Sequence, residues 1–386
     1  MGKPTNVIFD QIVKSGYQIE DLCLAFPNST ISEIEQRLSD TNLGLLRSVE
    51  RFGYLGMQPG KSRYMNIDKF GNRYVPNHRG LTSWEYSADQ PECTFVHVYG
   101  GSTTLGAHVG DDETLPFYLL KNLQDWGEKK FVVVNCGGNN HTSLHCALHL
   151  LDDCLKGHIP DYALFINGWN DAMHADGGGD GIVDFLNACL VASQDEKGES
   201  ASVLEVRNSI QSINRQNYRN RKIQFNDYDQ FFKVFKLRYQ SAIGLVGEIE
   251  KIFGTKSQFF FEPSAFVACR KDQDLMPKIR ELNSASPMIK HIFNEVFTLG
   301  VAKTVGRGGY KRKRVKSLIS CGQELQMFPL FIDETHFTPQ FNNYLSKEIA
   351  DRLRLKSKIT RAKRYNLSDQ SKNLKDDNSE YMYPLW

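Results

Sequence analysis

Tyr99-Gly100-Gly101-Ser102-Thr103-Thr104-Leu105-Gly106 follows directly on an apolar run over residues 93–99. A short β-rich run that ends in Gly-Gly and then presents a serine reads as a strand-to-loop corner carrying an exposed hydroxyl. The two glycines let the backbone turn sharply and leave room for a substrate beside Oγ, which makes Gly101 a substrate-binding candidate. A serine hydroxyl is a weak nucleophile by itself, so chemistry at this corner requires a base and an oxyanion site from elsewhere in the chain.

Two later stretches can supply them. Residues 162–167 are a second apolar run, and it ends in Gly168-Trp169-Asn170-Asp171. The Asn170 amide there is an N–H donor that does not titrate, while Asp171 reads as structural. Phe331-Ile332-Asp333-Glu334-Thr335-His336-Phe337-Thr338 follows another short apolar run, with Asp333 and His336 three residues apart on one tight turn. A carboxylate at that spacing can accept the imidazole Nδ1–H and leave Nε2 free for the Ser102 proton.

Taken in order, these blocks resemble the SGNH hydrolase superfamily, also called GDSL-type esterases and lipases. Gly100 to Gly106 stands for the serine block, with Gly-Gly-Ser-Thr-Thr in place of Gly-Asp-Ser-Leu. Asn135-Cys136-Gly137-Gly138-Asn139-Asn140-His141-Thr142-Ser143 is the second block, Gly168-Trp169-Asn170-Asp171 matches Gly-x-Asn-Asp, and Asp333-Glu334-Thr335-His336 is the last. The resemblance covers roughly residues 90–355 and is weakest between the third and last blocks.

The resemblance implies an α/β fold, a three-layer α/β/α sandwich on a five-stranded parallel sheet in the flavodoxin-like order 2-1-3-4-5. That order makes the first and third strands neighbours and puts Ser102 beside Asn170 at the switch point where such sheets bind ligands. It implies a triad of Ser102, His336 and Asp333. The oxyanion hole it implies is built from the Ser102 and Asn140 backbone N–H groups and the Asn170 side chain. In the family a glycine holds the second-block position. Here, anchored on Thr142-Ser143, that position is Asn140, with Gly137 and Gly138 three and two residues too early. Asn tolerates left-handed backbone geometry better than most residues, and the donor is a main-chain N–H. A milder departure is Phe341-Asn342, where the family usually has Gly-Asn. The activity implied is ester hydrolysis through an acyl-enzyme, with a small O-acyl ester, above all an acetyl ester on a carbohydrate, as the favoured substrate and no cofactor or metal. An acyltransferase using the same triad and a non-catalytic binding protein remain as alternatives. Trp169 is a second substrate-binding candidate. Trp169 and Tyr99 suit stacking on a sugar ring and suit a core equally well.

Composition bounds the remainder. The chain has 386 residues, 40% hydrophobic and 24% charged, as expected of a globular protein with a full core. A net charge of +2 gives no general attraction to nucleic acid. No run of about 18 apolar residues occurs and the start lacks a signal-peptide apolar region, so the expectation is a cytoplasmic protein without a membrane span. The eight cysteines are scattered with no Cys-x-x-Cys, which fits reduced thiols. His141, His145 and His149 are spaced to share a helix face, but no zincin pattern accompanies them. Gly306-Arg307-Gly308-Gly309 lacks a P-loop ending, and the basic run Lys311-Arg312-Lys313-Arg314 reads as solvated.

The pattern divides into an N-terminal helical and loop-rich segment (residues 1–90), a catalytic domain (91–355) with a mostly helical insertion at about 195–320, and a polar, basic tail (356–386). Helices are expected over about 6–26, 30–52, 114–126, 143–156, 183–193, 228–253 and 340–355. Thr30 and Glu33 have capping-box spacing. Strands are expected over 94–99, 131–135, 162–167, 258–261 and 328–332, and their alternation with helices argues a parallel sheet covered on both faces.

Overall fold

Strands buried on both faces read as near-continuous apolar runs. Phe131–Gly137 is buried at every position and Tyr162–Asn167 at every position but the first. The computed structural model describes residues 19–46, 48–51, 54–76, 93–124, 130–176, 228–265, 287–299, 315–318, 321, 330–332 and 335–354. Among them, a hairpin of β1 (Ser48–Arg51) and β2 (Tyr54–Met57) precedes β3 (Thr94–Gly100), β4 (Phe131–Gly137), β5 (Tyr162–Asn167), β6 (Lys256–Phe261) and β7 (Val315–Ser317). These last five are parallel and form one sheet ordered β4-β3-β5-β6-β7, which is 2-1-3-4-5 counted from β3. The helices are α1 (Ile31–Leu46), α2 (Leu115–Gln124), α3 (Ser143–Leu155), α4 (Trp169–Met173), α5 (Tyr228–Phe253), α6 (Pro287–Leu299) and α7 (Pro339–Arg354).

The two-residue period of the strands sorts their side chains into two cores. Val96 and Val98 join Val133, Leu164 and Phe260 against Leu119 of α2 and Leu345 of α7. Phe95 and Tyr99 join Val134, Phe165 and Phe259 against Leu150 of α3, Tyr239 of α5 and Phe293 of α6. Helices thus cover both faces of the sheet, giving a three-layer α/β/α sandwich. No helix among the described residues is long and apolar enough to cross a membrane.

Three elements differ from the sequence expectation: of the helix expected over 6–26, the described part is a 3-10 helix, Ile19–Leu24, followed by a turn. The second helix starts as expected, with Thr30 N donating to Glu33 Oε2 at 3.0 Å and Glu33 N to Thr30 Oγ1 at 3.3 Å. It ends at Leu46 and not at Phe52, because the next residues pair as a hairpin. The hairpin is held by tertiary burial: the Tyr54 ring stacks on His149 of α3 at 4.4 Å, and its hydroxyl donates to Asp152 at 2.7 Å. The fifth strand is Val315–Ser317, paired with β6, and not residues 328–332. Of the latter, residues 330–332 are buried and apolar but enter a tight loop, in which Ile332 N donates to His336 O at 2.7 Å and Thr338 N to Leu330 O at 3.0 Å. Their apolarity serves an aromatic cluster: the Phe331, Phe337 and Phe341 rings lie 5.3–5.7 Å apart. The expected helix at 183–193, the Gly306–Gly309 loop, the basic run at 311–314 and the tail lie outside the described residues.

Residues 54–76 are fastened to the sheet by Arg73, whose side chain is fully buried. Its backbone N–H donates to Asn135 O of β4 at 3.1 Å. Its Nε donates to Asp111 Oδ1 at 2.9 Å, Nη1 to the Leu105 and Gly106 carbonyls, and Nη2 to Tyr64 O at 2.9 Å and Val109 O at 2.7 Å. All five N–H groups of the fork therefore have acceptors, the condition for burying a guanidinium. Removing it takes the charged partner from Asp111, which keeps only the Asn66 donors, and takes a donor from each of four carbonyls. Arg73→Ala should cost about 3–5 kcal/mol in urea unfolding, and Arg73→Lys should recover little of it, because an ammonium cannot span the same acceptors.

Candidate active site

The sharp turn at the end of β3 presents Ser102. Gly101 and Ser102 open a single helical turn, Ser102–Leu105, that ends at Gly106 with φ +82°. The glycines are there for close approach. A Cβ on Gly100 would lie 2.5 Å from Ile166 O of β5, and one on Gly137 would lie 2.2 Å from Leu105 N. The turn is therefore pressed against both neighbouring strands, and Gly138 N donates to Gly100 O at 3.0 Å. From the far end of the chain, the aromatic loop before α7 brings His336 Nε2 to 2.8 Å from Ser102 Oγ. Both residues are half-buried. Asp333, expected to orient the histidine, lies outside the described residues.

Asn170 sits in the first turn of α4, directly after β5. One N–H of its amide donates to His141 O at 3.0 Å, which fixes the side chain and leaves the other N–H available. A Cβ on Gly101 would lie 2.5 Å from the amide nitrogen, so Asn170 covers the serine turn. Asn140 adopts the left-handed region at φ +58°, the geometry for which its residue type is suited. Its Oδ1 lies 2.9 Å from His174 Nε2, tying the second block to the end of α4. Trp169 is buried, with its indole 5.8 Å from the Phe293 ring of α6. Tyr99 is fully buried and belongs to the core.

Two buried carboxylates hold this arrangement from behind. Asp171 accepts Ser143 N at 3.1 Å on each oxygen and Ser143 Oγ at 2.5 Å, so it fastens the start of α3 to α4. Burial pushes its carboxyl up to about 6 against those hydrogen bonds. Glu262, the residue after β6, accepts Thr103 Oγ1 at 2.7 Å and Trp169 N at 2.8 Å. Burial pushes it up to about 7. Sequence reasoning missed Glu262. The available signal was an acidic residue immediately after the apolar strand Phe259-Phe260-Phe261, the position that also gave Ser102 and Asn170.

His108 was missed as well. It is buried at φ +72°, its ring stands edge-on to His336 at 4.8 Å, and its N–H donates to Thr41 Oγ1 of α1 at 2.9 Å. On the α3 face of the sheet, His97, Cys136 and Asp153 form the one group among the described residues whose donor atoms, all within 4.8 Å of one another, suit a metal ion. The Tyr99 hydroxyl already bridges two of them, donating to Asp153 Oδ2 at 2.7 Å and lying 3.0 Å from His97 Nδ1. Burial alone would raise the Asp153 carboxyl, but His149, His97 and the Tyr99 hydroxyl hold it below its ordinary value. Of the histidines spaced along α3, His149 stacks on Tyr54, while His145 Nδ1 accepts Thr142 N–H at 3.2 Å and burial lowers its pKa to about 4.

No protein-family model matches the chain, and no curated protein matches it. Among solved structures, a lipolytic protein of the G-D-S-L family from Desulfitobacterium hafniense DCB-2 is 14% identical, with 67% of this chain and 99% of that one covered at a TM-score of 0.35. The acetyl xylan esterase AlAXEase is 14% identical over 67% of this chain and 99% of its own, at 0.34. Axe2, an acetylxylan esterase from Geobacillus stearothermophilus, is 14% identical over 67% of this chain and 94% of its own, at 0.33.

Two expectations follow from the geometry. Gly101 has φ −79°, which alanine accepts, and the added methyl of Gly101→Ala meets the Asn170 amide nitrogen at 2.5 Å and His141 O at 3.4 Å. That variant should keep its Tm within about 4 °C while losing turnover on the order of 10²-fold, read by steady-state kinetics beside thermal melts. The second expectation concerns pH. A carboxyl raised from 4.5 to about 7 binds its proton more tightly in the folded chain. Its stabilising contribution is complete below the unfolded value and is lost as pH climbs through the folded one. Glu262→Gln has no such proton to release. Its stability relative to wild type should rise between about pH 5 and about pH 8, by up to about 3 kcal/mol in paired denaturation curves.

Proposed function

We propose that this protein is a serine ester hydrolase that works through an acyl-enzyme on Ser102. The observation that carries the reading is the 2.8 Å contact between Ser102 Oγ and His336 Nε2, with the Asn170 amide held over the same turn. His336 Nε2 takes the hydroxyl proton as Oγ attacks the ester carbonyl carbon. The electron pair moves to the carbonyl oxygen, which is held by the second Asn170 N–H and by the backbone N–H groups of Ser102 and Asn140. Ser102 opens a helical turn, where a first N–H has no intrahelical acceptor and is free for this task. Collapse breaks the ester bond, and the departing alkoxide takes the proton from His336. Water, deprotonated by His336, then attacks the acyl carbon. The carboxylic acid leaves and Ser102 regains its proton. In this reading the task of accepting the His336 Nδ1–H falls to Asp333. The family resemblance in the motif blocks directs the substrate assignment to a small O-acyl ester, first of all an acetyl ester on a carbohydrate. No cofactor enters any step.

A fluorophosphonate probe and a panel of acetyl, butyryl and longer p-nitrophenyl esters test the reading. Wild type should label at Ser102 and hydrolyse the short esters fastest. Ser102→Ala should lose labelling and at least about 10³-fold in turnover while keeping its fold. His336→Ala should be at least as damaging as Asp333→Ala, and activity should fall as pH drops through the histidine pKa. Asn140→Gly keeps the N–H and removes the Cβ from a left-handed residue, so activity should be kept or raised. If an added acceptor alcohol captures the acyl group in place of water, the enzyme is a transferase. If there is neither labelling nor turnover, it is a binding protein.

A further inference from the structure

Glu262 has no counterpart among the motif blocks, and the reaction as drawn makes no use of it. Its carboxylate is fully buried, no ion pair reaches it among the described residues, and its two oxygens go to two different loops. One accepts the hydroxyl of Thr103, the neighbour of Ser102. The other accepts the backbone N–H of Trp169, the neighbour of Asn170. Its own N–H donates to Asn167 O at 3.0 Å, which sets it level with the end of β5. Because β5 lies between β3 and β6 in the sheet, Glu262 reaches past one strand to hold the loop of another.

We propose that Glu262 is a positioning residue, a clamp that fixes the spacing between the Ser102 hydroxyl and the Asn170 amide. This rests on the serine-hydrolase reading given above. The argument turns on why a carboxylate stands there. A buried carboxylate held by hydrogen-bond donors without an ion pair costs stability, since the pull of His336 offsets only part of its burial, and an apolar side chain of similar volume would fill the space at less cost. What an apolar side chain cannot do is accept from two donors at once in fixed directions. The nucleophile and the oxyanion donor belong to different strands, and the catalytic gain requires their separation to hold to a fraction of an ångström; a shift of about 1 Å costs on the order of 10²-fold. Thr103 and Trp169 are each one residue from the group they position, so the clamp acts with almost no lever arm.

The test compares Glu262→Ala, Glu262→Gln, Thr103→Val and the Glu262→Ala/Thr103→Val pair with wild type, reading the rate of fluorophosphonate labelling, kcat and KM on p-nitrophenyl acetate, and Tm. Glu262→Ala releases both loops and should slow labelling and kcat by about 10- to 100-fold, with KM moving less than about 3-fold. Glu262→Gln should recover to within about 3-fold, because the amide oxygen accepts Trp169 N–H and the Thr103 hydroxyl can turn round to accept from the amide nitrogen. Thr103→Val frees only the serine turn and should fall between them. Added to Glu262→Ala it should cost nothing further, since the bond it removes is already gone. A Glu262→Ala protein that melts earlier but labels at the wild-type rate overturns the clamp and leaves a purely structural residue. If Glu262→Ala does not fold, Thr103→Val decides, and an unchanged labelling rate there overturns the proposal. A wild type that neither labels nor hydrolyses overturns the hydrolase reading and the clamp with it, whereas a wild type that labels normally beside indifferent variants overturns the clamp alone.

Discussion

A guanidinium can be buried only when every N–H finds an acceptor, and much of this molecule is arranged to meet that condition for Arg73. Its acceptors come from the loop behind the serine turn, from Asp111 at the start of α2 and from Tyr64 in its own segment. The residues that follow Ser102 are thus draped over a single side chain supplied from the N-terminal side. Burial lowers the affinity of Arg73 for its proton, and Asp111 offsets part of that. The Asp111 carboxyl, pushed up by its own burial and drawn back by Arg73, is the matching half of the pair. Arg37 extends the same logic outward: its guanidinium pairs with Glu113, and Gly110 N donates to the same carboxylate.

The site is then assembled from three strand ends, each with its own restraint. β3 delivers the hydroxyl, β5 delivers the amide, and the loop between β4 and α3 delivers the left-handed Asn140. Parallel strands put these ends on one edge of the sheet, but strand pairing stops short of the loops and cannot by itself fix them. Asp171 fastens the start of α3 to α4, and Glu262 fastens α4 to the serine turn. The histidine arrives on an unrelated device, a loop of three phenylalanines folded back on itself.

The sequence showed the strand ends because each is written locally: an apolar run, then glycine, then a polar residue. It showed the helix start at Thr30 for the same reason, since both partners of the capping box lie within one turn. Position 140 was legible only in part: the sequence showed a residue type that tolerates a left-handed backbone, and the structure shows that it adopts one. Arg73 was illegible, since nothing about an arginine in a Gly- and Asn-rich stretch says that five acceptors surround it. Glu262 was hidden likewise: its partners lie 159 and 93 residues away. Residues 330–332 misled for a different reason. Apolarity reports burial and not pairing, and these side chains are buried by one another and by α7 while the strand role falls to Val315–Ser317.

The separation of Ser102 from His336 is 234 residues. The clamp at Glu262 closes a span of 159 residues within it, and the Ser143–Asp171 tie one of 28. In equilibrium terms the longer closures cost little more than the shorter, because loop entropy grows only as the logarithm of length. In time they differ, because contacts between distant residues form slowly. In a chain emerging from the ribosome the Ser143–Asp171 tie can close early, the Glu262 contacts only once β6 is in place, and the Ser102–His336 contact only when α7 docks. The serine and the histidine are thus the last of these partners to meet, and their contact marks the docking of α7.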